Sequence, residues 1–148
     1  MLFDQISNDI ASAMKAKDKV RLMALRSVKK YFIEAKTAPG AGDELSDEAA
    51  IKILAKLAKQ GRDAAEIYVS QNRQDLADEE LAQVHVIEEY LPRQMSAEEL
   101  KAALQAIIAE VGATSAKEMG RVMGVASKRL TGQAEGRAIS QAVKELLS

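Results

Sequence analysis

The 148-residue chain has no cysteine and no tryptophan, and only two prolines, two phenylalanines and three tyrosines. Without cysteine there is neither a disulfide framework nor a thiolate metal site. Scarce aromatics leave little for stacking on unpaired bases. A core must be assembled from Ala, Leu, Ile, Val and Met, a set that favours helix packed on helix. The single histidine, His85, flanks an apolar stripe and has no second histidine for a metal site. No apolar run approaches the roughly 20 residues that span a bilayer, and the first residues lack a charged segment followed by an apolar one. A cytoplasmic protein without membrane association is the expectation.

Catalytic signatures are missing too. There is no nucleophile elbow, no glycine-serine amidase stretch and no phosphate loop ending in Gly-Lys-Ser/Thr. Adjacent carboxylates such as Asp78 with Glu79, or Glu88 with Glu89, would point in different directions from a helix, which does not suit paired acid and base work. No catalytic residue, metal site or cofactor is nominated.

What the chain does have is helical periodicity almost throughout and strand alternation almost nowhere. Leu2, Phe3, Ile6, Ile10 and Met14 mark a first helix. Val20, Ala24, Val28, Tyr31, Phe32 and Ala35 mark a second, capped by Asp18 and closed by the loop at Pro39, Gly40 and Gly42. Ser46 caps a third, whose stripe of Ala50, Ile53, Leu57, Gly61, Ala64, Ala65 and Tyr68 runs unbroken to about Gln71. A fourth carries Leu81, Val84, Ile87, Tyr90 and Leu91 and is stopped by Pro92.

Ser96 with Glu99 then forms a capping box, with Met95 placed to staple onto Leu100. The helix it opens runs through Leu104, Ile107 and Val111 to a left-handed cap at Gly112. Ser115 with Glu118 repeats the box before Met119, Val122, Met123, Ala126 and Leu130. Gly132 closes that helix, and Ile139, Val143, Leu146 and Leu147 make the last one. The predicted fold is all-α, a larger N-terminal helical bundle over 1–92 followed by a small three-helix C-terminal tail over 95–148.

Net charge is −1, but cations cluster. Eight Lys or Arg lie between Lys15 and Lys36 against Asp18 and Glu34, and six lie between Ser115 and Ser148 against three glutamates. Such asymmetry fits either an anionic partner or an ordinary solvated surface. The tail also holds four glycines, Gly120, Gly124, Gly132 and Gly136. Glycine inside a helix costs about 1 kcal/mol relative to alanine, so Gly120 and Gly124, four apart, need a reason. One is close packing of a neighbouring helix. The other is a sugar-phosphate backbone lying against the bare surface, held by Arg121, Lys128, Arg129 and Arg137 and by the open N–H groups near Gly136.

The runs EEYLPRQMSAEEL, EMGRVMG and GQAEGRAISQAVKELL resemble the YqeY family, and KDKVRLMALRSVKKYFIEAK and LAKQGRDAAEIYVSQNRQDLADEE extend the likeness over nearly the whole chain. The family's tail is similar to that of the B subunit of the glutamyl/aspartyl-tRNA amidotransferase, which contacts transfer RNA around its elbow. The resemblance implies an all-helical fold. It also makes Gly120, Arg121, Gly124, Gly132, Gly136 and Arg137, which match the tail motif, candidate RNA contacts. The chain departs from the family at Gln133, where a basic residue is common, at Glu135, where an Asp cap is common, and at Gly61 and Ala65, where an arginine and a serine are common.

Three functions follow as expectations. One is a non-catalytic protein that binds transfer RNA or another structured RNA through the tail and the basic second helix. Another is an accessory part in glutamine-dependent amide transfer beside an amidotransferase or other translation-related protein. The third is a protein-interaction module in which the glycine groove accepts a partner helix.

Overall fold

The computed structural model describes residues 1–148 and contains helices only. The chain divides into two compact units, Met1–Leu91 and Pro92–Ser148.

The first unit is built from α1 (Leu2–Ala16), α2 (Lys19–Lys36), α3 (Asp47–Ser70) and α4 (Gln74–Glu88). α1 turns into α2 within two residues. Lys17 takes the left-handed conformation at φ 57°, and the Asp18 amide bonds back to the Ala13 carbonyl. The Asp18 side chain then caps α2 by accepting from the Arg21 amide. Ser46 caps α3 likewise, with Asp47 and Glu48 in its first turn, where anionic groups suit the helix dipole. Asn72, at φ 59°, turns the chain into α4.

The core of this unit brings together Ile6, Leu25, Val28, Phe32, Leu54 and Val84, each at most 2% exposed. Full burial of such side chains contributes about 1.5–3 kcal/mol each. The burial pattern differs from the periodicity at its margins. On α2 the inner face is Ala24, Leu25, Val28 and Phe32, so Val20 and Tyr31 rotate outward, and Met14 of α1 is exposed as well. On α3, Leu54 and Ala58 take the deepest positions. α4 ends at Glu88, earlier than Pro92 alone dictates. Glu89, Tyr90 and Leu91 bond three residues back, a tightening common in a last helical turn.

The second unit contains α5 (Ala97–Val111), a 3-10 turn (Ala116–Glu118), α6 (Met119–Arg129) and α7 (Gly136–Leu147) around Leu104, Val122, Ala126, Ile139 and Val143. The capping box at α5 is complete. The Glu99 amide donates to the Ser96 hydroxyl at 3.1 Å, and the Ser96 amide donates to the Glu99 carboxylate at 3.2 Å. Met95 packs into the same core as Leu100.

The second box, expected at Ser115, does not form. Its side chain caps nothing, and the Glu118 carboxylate instead accepts from the Thr114 amide at 2.6 Å. The cause is the 3-10 turn, which separates Ser115 from the first residue of α6. Replacing Ser96 by alanine should therefore cost about 1 kcal/mol of stability, whereas Ser115→Ala should leave the unfolding midpoint unchanged. Equilibrium unfolding of the two variants checks the contrast.

Candidate nucleic-acid interface

α6 turns Val122 and Ala126 into the core of the second unit, with Met119 and Met123 beside them. The opposite face carries Gly120, Gly124 and Ser127, all exposed, at the four- and three-residue spacing that aligns side chains on a helix. A β-carbon built at Gly120 or Gly124 would meet no atom within 4 Å, and the same is true at Gly136 in the first turn of α7. Close packing within this chain, one of the two reasons considered for these glycines, is thereby removed. Helix-destabilising residues stand on open surface with no internal neighbour to accommodate.

Gly132 is different. It is buried, takes φ 77° in the connection between α6 and α7, and its carbonyl accepts from the Gln94 side chain. Its place is explained by the turn. That turn puts Lys128 and Arg129, at the end of α6, one short connection away from Gly136 and Arg137, at the start of α7.

The cations divide into two kinds. Arg129 forms a two-pronged pair with Glu110 near the end of α5, one contact at 2.7 Å, and this bond holds the Glu110 carboxyl below its usual range. Arg121 donates to the Val111 carbonyl at 2.8 Å and to Glu118 at 3.2 Å, so it ties α6 to the end of α5 while its side chain stays 61% exposed. Lys128 and Arg137 are exposed and enter no ion pair.

Arg137 stands in the first turn of α7, the end where a positive charge is disfavoured by the helix dipole. That turn contains no acidic residue, and Glu135, at the N-cap, gives its amides no side-chain cap. No three of the chain's His, Asp or Glu side chains converge as metal ligands would.

The family described as Yqey-like protein matches residues 3–147. The chain belongs to the YqeY family. A relative of this YqeY chain is the protein named altered inheritance of mitochondria protein 41, mitochondrial, from the yeast Meyerozyma guilliermondii. It is 36% identical over 86 residues, which is 58% of this chain and 44% of the yeast protein, so the match spans less than half the relative's length. No helix of the YqeY chain is long and apolar enough to cross a membrane.

A groove of about 610 Å³ in the tail lies elsewhere. It runs between α5 and α7 over Met95, Leu100, Ala134, Ala138, Ala142 and Leu146, and none of the eight candidate contacts lines it. Ser127, a small exposed residue that continues the glycine face of α6, is not marked by the glycine spacing, and its signal lies in the register 120, 124, 127. Glu110 was not singled out either, because its partner lies 19 residues away on another helix.

Proposed function

We propose that this YqeY chain is a non-catalytic protein that binds structured RNA, transfer RNA foremost, on the exposed face of α6 and the start of α7. The observation that supports this most is the absence of any internal neighbour at Gly120, Gly124 and Gly136 beside the unpaired Lys128 and Arg137. A bare helix face lets a sugar-phosphate backbone approach the peptide chain, and flanking cations hold it. The uncapped amides of α7 are suited to a phosphate as well. In this reading Lys128, Arg137 and the exposed part of Arg121 meet phosphate, Arg129 positions the α5–α6 corner through Glu110, and Gly132 shapes the turn.

Recognition is by shape and backbone, since the chain offers few aromatic side chains for stacking. A cytoplasmic location belongs to the same proposal. An accessory part in amide transfer, beside an amidotransferase, would use this surface to hold the transfer RNA while the partner performs the chemistry. The apolar groove between α5 and α7 favours a second reading, a protein partner that docks a helix there.

Labelled transfer RNA titrated with the protein at several salt concentrations tests the proposal, with a DNA duplex of equal length as control. The expected result is preferential binding of transfer RNA that weakens as salt rises. Equal binding to both, or none near physiological salt, with a stoichiometric protein partner recovered in its place, would transfer the assignment to the groove.

A further inference from the structure

The second concentration of cations lies wholly in the first unit, on the outer face of α2. Lys19, Met23, Arg26, Lys30 and Ile33 share that face, opposite the buried Ala24, Leu25, Val28 and Phe32, with Lys29 at its margin. Lys19, Arg26 and Lys30 are exposed, and none of them, nor Lys29, enters an ion pair. The one arginine of α2 that is paired, Arg21, sits on the flank and bonds Glu89 and Asp18.

The arrangement is unfavourable for an isolated helix. Arg26 repels Lys30 at a four-residue spacing and Lys29 at three, each like-charge pair costing a few tenths of a kcal/mol. Lys19 stands in the first turn, which contains no acidic residue, at the end where the dipole disfavours cations. Glu34 is the single carboxylate on α2. Elsewhere in this unit Lys59 pairs with Asp63 and Arg73 with Asp75, while Lys15, Lys17, Lys52 and Lys56 are exposed and enter no ion pair, so what distinguishes α2 is the alignment of its cations along one face.

We infer that the outer face of α2 is a second docking surface for the phosphate backbone of a structured RNA, separate from the tail. The inference shares with the function proposed above the class of ligand, and rests on different residues. From Lys19 to Arg26 to Lys30 the cations succeed one another at roughly 10 and 6 Å along the helix axis. A line of charge of that length suits an extended polyanion better than a single phosphate or one carboxylate. The apolar residues on the face are Met23 and Ile33 alone, too few for the continuous apolar side that a membrane-surface helix requires.

The full-length variant Lys19→Gln, Arg26→Gln, Lys29→Gln, Lys30→Gln tests the inference beside a tail variant, Arg121→Ala, Lys128→Ala, Arg137→Ala. Removal of mutually repelling charges should leave the unfolding midpoint at or above that of the natural chain, which shows that the α2 variant is folded. Its transfer RNA affinity should fall at least tenfold near physiological salt. The slope of log affinity against log salt should flatten by about 0.7 to 0.9 per lost contact.

If the α2 variant loses affinity and slope while the tail variant keeps both, the inference stands and the tail proposal fails. If the tail variant loses them and the α2 variant binds like the natural chain, the inference is overturned and the tail proposal stands. Binding to phosphatidylserine vesicles that the α2 substitutions abolish, with transfer RNA binding unchanged, would also overturn it in favour of a membrane.

Discussion

Replacing Gly120 and Gly124 together by alanine should make the tail more stable and a poorer ligand for RNA. Both positions are helical and a methyl at either would meet nothing within 4 Å, so the substitution introduces no internal clash. Gly124, in the helix interior, should contribute about 1 kcal/mol of stabilisation and Gly120, in the first turn, less. Hydrogen exchange of the α6 amides reads the gain locally. On the proposed contact the methyls should hold a phosphate backbone away from the helix, and losing one charge-assisted contact of about 1.5–3 kcal/mol should reduce affinity on the order of tenfold or more. Stabilisation with unchanged transfer RNA affinity would detach the glycines from RNA binding. A loss of stability would mean that a neighbour closes on this face after all.

Gly61 should show the opposite behaviour under the same substitution. A β-carbon there would lie 2.4 Å from Cγ2 of Val84, a β-branched side chain only 2% exposed, where α3 and α4 pack together. The helix-propensity gain of about 1 kcal/mol is opposed by an overpacking cost of about 1–3 kcal/mol. Gly61→Ala should therefore lower stability on balance, by about 1 kcal/mol. In a Val84→Ala background the obstruction is gone, and the same change should stabilise. Additive effects in this double-mutant cycle would contradict the close approach. The contrast with Gly124 separates two uses of glycine that sequence alone leaves indistinguishable. At Gly61 the chain draws α4 close to α3. At Gly124 nothing is drawn in.

The all-α fold was legible because helix ends announce themselves locally. Asp18, Ser46 and Ser96 cap the helices they were expected to cap, and Gly112 ends α5 at φ 78°. Ser115 carries the same four-residue signature as Ser96 and fails, since the pattern does not report that a 3-10 turn intervenes. Val20 and Tyr31 were misplaced because a stripe read at fixed periodicity fixes the face only to within about one residue, and packing in α2 settles one position around, on Leu25. In the candidate site the spacing of Gly120 and Gly124 was readable, but whether the face they share is covered depends on helices distant in sequence. The roles of the arginines were hidden for the same reason. Arg129 and Arg137 look alike in the sequence, and only the fold sets Glu110 against one of them.

The central claim is that phosphate meets the α6–α7 surface of the tail, and the salt dependence of transfer RNA binding by the Arg121→Ala, Lys128→Ala, Arg137→Ala variant tests it most directly. Three lost phosphate contacts should lower the slope of log affinity against log salt by roughly 2 to 3 relative to the natural chain. A slope equal to that of the natural chain would contradict the claim.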